Sequence, residues 1–210
     1  WNFDIARGIV YATDNGAQII NLSLGGAEPS QILQDAVNYA YGKGVLLVAA
    51  AGNNSGAVFY PAACEHVLAV VATDIDDQRC LFSNYGPEVD IAAPGEYIIS
   101  TWPQPYLYYY KYGTSMAAAH VSGAAALLWS WQPGWSNAQI EQRLEMQADD
   151  VNASTHPGRD PYLGWGRLNI GRALQDPTPT PTPLSPTLTP PSRSYHLPLI
   201  FKGINLCCAF

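Results

Sequence analysis

The chain of 210 residues reads as an α/β protein, built on a mostly parallel sheet with helices on both faces. Three observations predict it. Segments with helical periodicity alternate with short runs that are apolar at every position, as expected of parallel strands covered on both sides. Two of those runs end in Gly- and Asn-rich turns, "SLGG" and "AGNNSG", where the carboxyl ends of parallel strands would lie. Hydrophobic residues make up 48% of the chain and charged residues only 13%, which supplies a large core and excludes disorder for most of it.

The elements follow in order. "FDIARGIVYATDNG" sets Ile5, Ile9, Val10 and Ala12 at roughly helical spacing and stops at Asn15-Gly16. "QIINLSL" reads as a buried strand running into Gly25-Gly26. "SQILQDAVNYAYGKG" is a second amphipathic helix with Ser30 as its cap. "VLLVAAAGN" and "VLAVVATD" are strands apolar enough to be buried on both faces. "GTSMAAAHVSGAAALL" is too poor in charge to be anything but a buried helix, with Ser115 at or beside its start.

Composition then breaks twice. Residues 1–176 form the domain; residues 177–194 form a Pro/Thr-rich linker, and residues 195–210 a short apolar tail too brief to span a bilayer. The tract "PTPTPTPLSPTLTPP" should be an extended spacer of up to ~45 Å, at about 3.1 Å per residue. A net charge of −7 disfavours nucleic acid or an anionic membrane as partner. Four cysteines are too few for a disulfide-built fold. The chain opens at Trp1 in mid-pattern, so its start is read as cut and the missing signal peptide says nothing about secretion.

Two side chains stand out chemically. Ser115 sits where unpaired N–H groups and the helix dipole favour a developing negative charge, although a helix-capping hydroxyl would look the same. Asn53, after a strand ending "AAAGNN", would project an amide from the carboxyl edge of the sheet; a turn-forming asparagine is the bland alternative.

Taken together, "NLSLGG", "AAAGNN", "SNYGPEVDIAAPG", "GTSMA" and "GWGRLN" resemble the subtilisin-like serine endopeptidases, the subtilases, in order from about residue 1 to 174. The resemblance implies that Ser115 is the nucleophile and that its own N–H and the Asn53 amide are the oxyanion donors. It implies further that Ser23-Leu24-Gly25 and Ala50-Ala51-Gly52 flank the substrate, pair with its backbone and wall the first specificity pocket. It also implies protein or peptide substrates, a monomer, and an extracellular or cell-surface location of bacterial type.

A serine hydroxyl needs a base, and the base needs an orienting group. The family's Asp-Ser/Thr-Gly turn and "HGTHVAG"-like helix start do not occur here. By the family's order of Asp, His, Ser, both are expected upstream of Trp1, and the chain alone is expected to be inactive. His120 lies five residues beyond Ser115, ~140° around the helix, and reads as a hydrogen-bonded core histidine. His66, His156 and His196 offer no better base. The family usually has proline where this chain has Ala119, a change that leaves the helix able to form.

Weaker signals complete the reading. Tyr60-Pro61 falls where the family often has a cis peptide, and Phe59 is placed to fill part of the specificity pocket, favouring a smaller side chain there. Asp74, Asp76 and Asp77 in "DIDDQR" are carboxylates of the kind calcium takes, with a solvated turn the stronger reading. Subtilases often carry calcium, so the resemblance implies structural calcium as the one cofactor to expect, although the sequence shows no full ligand loop. Cys64 and Cys80 would pair only in an extracellular protein of suitable geometry. The ending "CCAF" fits a prenylation pattern formally, while the Pro-Thr tract is of the kind found in surface stalks. Two rival functions remain: a subtilase-like domain that binds peptides without catalysis, and an α/β nucleotide binder, which the lack of any G-x-G-x-x-G or P-loop motif disfavours.

Overall fold

Four parallel strands run through the centre of residues 1–175, the part of the chain that the computed structural model describes. The linker and tail expected at 177–194 and 195–210, with Cys207, Cys208 and His196, lie outside the described residues. The sheet has the order β1-β2-β3-β4, formed by Ile19–Leu22, Leu46–Ala50, Val67–Thr73 and Ile91–Pro94. Register is continuous across it, with Leu22 beside Ala49, Ala50 beside Val70 and Thr73 beside Pro94.

Side-chain alternation feeds two cores. Leu47, Ala49, Val67, Ala69 and Val71 enter one, beneath helices α1 (Asn2–Asp14) and α2 (Gln31–Gly42). Leu46, Val48, Ala50, Leu68, Val70 and Ala72 enter the other, beneath α3 (Thr114–Trp131) and α4 (Asn137–Met146). Every residue of β2 and β3 is buried, which is why both read as unbroken apolar runs. The small residues Ala117, Ala118, Ala124 and Ala125 of α3 are buried against this face, with no long side chain to hold the helix off the sheet. A short helix, α5 (Ile170–Ala173), completes that layer, and Arg143 of α4 donates to the Ala173 carbonyl at 2.9 Å.

Two expectations are corrected, and one element was not foreseen. β1 is an edge strand rather than a fully buried one: Ile20 and Leu22 are buried while Asn21 between them is exposed. Ser30 occupies the N-cap of α2 in an extended conformation, yet its side chain makes no capping hydrogen bond. Beyond β4 the chain forms an antiparallel hairpin of β5 (Ile98–Thr101) and β6 (Tyr108–Lys111), which the sequence reading had not identified. β6 delivers the chain to Gly113 and α3; Gly113 has φ 140°, which a glycine adopts far more readily than other residues.

Candidate active site

Three chain segments meet beyond the carboxyl ends of β1 and β2. β1 continues into Ser23-Leu24-Gly25, β2 into Ala51-Gly52-Asn53, and α3 begins at Thr114. Ser115 is the second residue of α3 and is partly buried. Its hydroxyl donates to the Ser23 carbonyl at 3.3 Å, and the Ser23 hydroxyl donates back to the Ser115 carbonyl at 3.0 Å. Asn21 extends the stitch, donating to the Ser23 hydroxyl at 2.8 Å and accepting from Ser122 at 2.9 Å. The start of the helix is thereby fixed to the end of the edge strand.

Asn53 is held from the other side. Its Oδ1 accepts from the Thr114 N–H at 2.9 Å and from the Thr114 hydroxyl at 3.0 Å. The backbone N–H can only donate, so the oxygen of the amide faces Thr114 and the NH₂ faces away. That NH₂ has no partner among the described residues, and neither does the Ser115 N–H in the first turn of α3. The Asn53 amide is thus tied to the residue that precedes Ser115, and a Cβ on Gly113 would lie 3.4 Å from its Nδ2.

Sequence reasoning missed the two residues that organise this geometry. Thr114 is fully buried, and besides binding Asn53 its hydroxyl accepts from the Gly52 N–H at 3.1 Å. Asn84, also fully buried, donates to the carbonyls of Ala51 at 3.1 Å and Ala57 at 2.7 Å. Its Oδ1 accepts from the N–H groups of Asn54 and Gly56, and its own N–H donates to the Gly52 carbonyl. A Cβ on Gly52 would lie 2.2 Å from the Asn84 Nδ2, so only glycine fits there. The asparagine of "SNYG" was the available signal.

The two flanking segments differ in what they offer a substrate. The backbone groups of Leu24 and Gly25 make no hydrogen bond among the described residues. Ala51 and Gly52 spend theirs internally: Ala51 donates to Val70 and accepts from Phe59, and both Gly52 groups are bonded. Ala50 is buried within β2. The backbone groups of Ala51 and Gly52 are therefore already committed within the fold, unlike those of Leu24 and Gly25.

Among the described residues no histidine is bonded to Ser115. His120 is exposed, correcting the expectation of a core histidine. It falls on the solvent side of α3 with Gly123 and Leu127, while Thr114, Ala117, Val121 and Leu128 face the sheet. Its Nδ1–H donates to the Met116 carbonyl at 2.9 Å. His66 stacks on Tyr41 at 4.1 Å, and His156 lies at 3.1 Å from the Thr155 hydroxyl.

The remaining expectations divide. Tyr60-Pro61 is cis. Cys64 and Cys80 are both unpaired, one in each of the two cores on opposite faces of the sheet. Burial pushes their thiols up to about 11 and about 12 respectively. Asp74 caps its own turn through the N–H groups of Asp76 and Gln78, while both Asp77 oxygens bind Arg167 at 2.7 and 2.6 Å. Arg167 also binds Asp149 at 2.9 Å. These carboxylates are committed to the turn and to arginine, and among the described residues no cluster of three His, Cys, Asp or Glu is placed to hold a metal ion. Nor is any helix of the described residues long and apolar enough to cross a membrane.

Comparison with known proteins shows the family. Residues 1–166 match the model of the subtilase family, peptidase family S8. Over 172 residues the chain is 48% identical to a thermophilic serine proteinase of Bacillus sp. (strain AK1), covering 81% of this chain and 41% of that protein. It is 45% identical to thermitase of Thermoactinomyces vulgaris and to subtilisin Savinase of Lederbergia lenta, again over 81% of this chain, and over 59% and 61% of theirs. The chain thus spans roughly half the length of these relatives. Among solved structures, the prenylagaramide maturation protease PagA superposes with a TM-score of 0.76 at 33% identity, covering 83% of this chain and 67% of that one.

Proposed function

Because the chain belongs to the subtilase family, we propose that it is the nucleophile-bearing part of a serine endopeptidase that cleaves protein substrates through an acyl-enzyme on Ser115. The observation that supports the reading is the anchoring of Asn53 to Thr114, the residue before Ser115, with the oxygen of its amide bound and its NH₂ left without a partner among the described residues. A substrate strand lies along Leu24-Gly25 and presents its scissile carbonyl to Ser115. The hydroxyl adds to that carbonyl as a base removes its proton, and the new oxyanion is received by the Asn53 Nδ2 and the Ser115 N–H. Collapse expels the amine, which takes the proton from the base, and water then releases the acyl group.

The base and its orienting carboxylate come from a segment preceding Trp1 in the complete gene product. The relatives matched here are longer than this chain, and none of the described histidines approaches Ser115. Residues 1–210 alone are inactive on this account, and the complete protein acts as a monomer outside the cell. The test is casein hydrolysis by the complete gene product, with Ser115→Ala as the control. Hydrolysis that survives Ser115→Ala would reject the assignment, and a folded protein that binds peptides but hydrolyses none would show a binding domain without catalysis.

A further inference from the structure

Asn53 carries its amide on an exposed turn, yet the two peptide groups that flank it are held by one buried residue. The Gly52 carbonyl, in the peptide before Asn53, accepts from the Asn84 N–H at 3.0 Å. The Asn54 N–H, in the peptide after it, donates to the Asn84 Oδ1 at 2.9 Å. With both peptide planes pinned, the two soft torsions of the Asn53 backbone are fixed. The side chain is fixed separately, by Thr114.

Asn84 spends its whole side-chain capacity on this turn. A side-chain amide has two N–H donors and an oxygen with two lone pairs. Here both donors reach carbonyls, of Ala51 and Ala57, and the oxygen receives the N–H groups of Asn54 and Gly56. The segment that carries Asn84 is anchored in turn to β3: the Ser83 hydroxyl accepts from the Ala72 N–H at 3.1 Å, and the Cys80 N–H donates to the Ala72 carbonyl at 2.9 Å. Two main-chain bonds, Ser55 N–H to the Phe82 carbonyl and Tyr85 N–H to the Gly56 carbonyl, join the same two segments. The Asn53 turn is therefore built onto β3 through Asn84, and does not hang free from the end of β2.

We propose that Asn84 is a positioning residue for the reaction: it sets the backbone of Asn53 so that the amide oriented by Thr114 stays aimed at the oxyanion. The inference rests on the reading of Ser115 as nucleophile and Asn53 as oxyanion donor. The Asn84 side chain bonds only to the turn, so its effect on turnover passes through Asn53. A donor helps a developing oxyanion when it is aimed beforehand and needs no reorganisation during the step. A misplacement of about 1 Å costs up to about 10² in rate.

The test is a double-mutant cycle on the complete gene product, read as kcat and KM for one peptide substrate. Asn84→Ala should lower kcat about 10–100-fold with KM little changed. In the Asn53→Ala background the same substitution should lower kcat by no more than about twofold, because the donor it positions is already gone. A role confined to holding the fold together would give equal factors in both backgrounds. That result overturns the proposal, as does an Asn84→Ala enzyme with full kcat. If Asn84→Ala does not fold, Asn84→Ser is read in the same cycle.

Nuclear magnetic resonance of the Asn53 side-chain NH₂, assigned by its loss in Asn53→Ala, reads the positioning without chemistry. The group should be ordered in the wild type and flexible on the nanosecond timescale in Asn84→Ala. An NH₂ equally ordered in both overturns the positioning role while leaving the endopeptidase reading intact. Absence of hydrolysis by the wild type, with an Asn53 amide freed in Asn84→Ala, would support the positioning role and overturn the endopeptidase reading instead.

Discussion

Thr114 offers a way to perturb Asn53, the proposed oxyanion donor, without replacing it. In Thr114→Val the shape is kept and the hydroxyl is lost. The Gly52 N–H then loses its acceptor at 3.1 Å in a fully buried setting. An unsatisfied buried donor costs about 1–3 kcal/mol, and for a domain of this size each kcal/mol lowers Tm by about 2–4 °C. The expected fall in Tm is therefore about 2–12 °C. Asn53 loses one of its two tethers, the 3.0 Å bond, and keeps the 2.9 Å bond from the Thr114 N–H. Its amide is less well fixed but not released, so kcat should fall by about tenfold with KM little changed, the signature of an interaction made in the transition state. Thr114→Ser restores the hydroxyl and should recover both quantities in large part. The assay is thermal unfolding and peptide hydrolysis of the complete gene product with each variant. A Thr114→Val protein with lowered Tm and full kcat would refute the claim that this hydroxyl positions the oxyanion donor.

Two further perturbations read other parts of the structure. Asn53→Ala removes the donor itself and should slow turnover by about 10²–10³, the loss known from subtilisin when such an amide is removed, while stability changes little because Asn53 is exposed. Burial, and after it the negative charge of Asp90, pushes the carboxyls of Glu141 and Glu145 on α4 up to about 7. The folded state then holds their protons more tightly than the unfolded chain does, so stability is lost as pH rises from about 4.5 through about 7. Glu141→Gln should consequently raise Tm at pH 8 more than at pH 5, by the equivalent of about 1–2 kcal/mol after allowance for solvent screening. Equal gains at both values would show that burial does not perturb this carboxyl.

The fold was legible where one physical demand dominated. β2 and β3 are buried on both faces, and only an unbroken apolar run satisfies that. α1 ends where Asn15-Gly16 ends it, with Gly16 at φ 83°. Within the candidate site, Ser115 and Asn53 were legible as types at strand and helix ends, and both lie at the edge where they were expected. Legibility failed where two demands compete. α3 is apolar on every side, so periodicity could not tell that His120 faces solvent while Val121 faces the sheet. Among the described residues β1 pairs on one side only, with β2, and its own residues do not encode that. Thr114 and Asn84 act through bonds to segments 61 or 62 and about 30 residues away, and nothing local in "GTS" or "SNYG" records those partners. The spacing of Cys64 and Cys80 carried no hint that a sheet lies between them.

The central claim is that Ser115 is an activated nucleophile served by an Asn53 donor. Fluorophosphonate labelling of the complete gene product tests it most directly, because phosphonylation needs an activated hydroxyl and an oxyanion hole together. Mass spectrometry should locate a single adduct on Ser115, absent in Ser115→Ala and formed far more slowly in Asn53→Ala. A folded, peptide-binding protein that leaves Ser115 unlabelled, or one labelled at the same rate with and without the Asn53 amide, would contradict it.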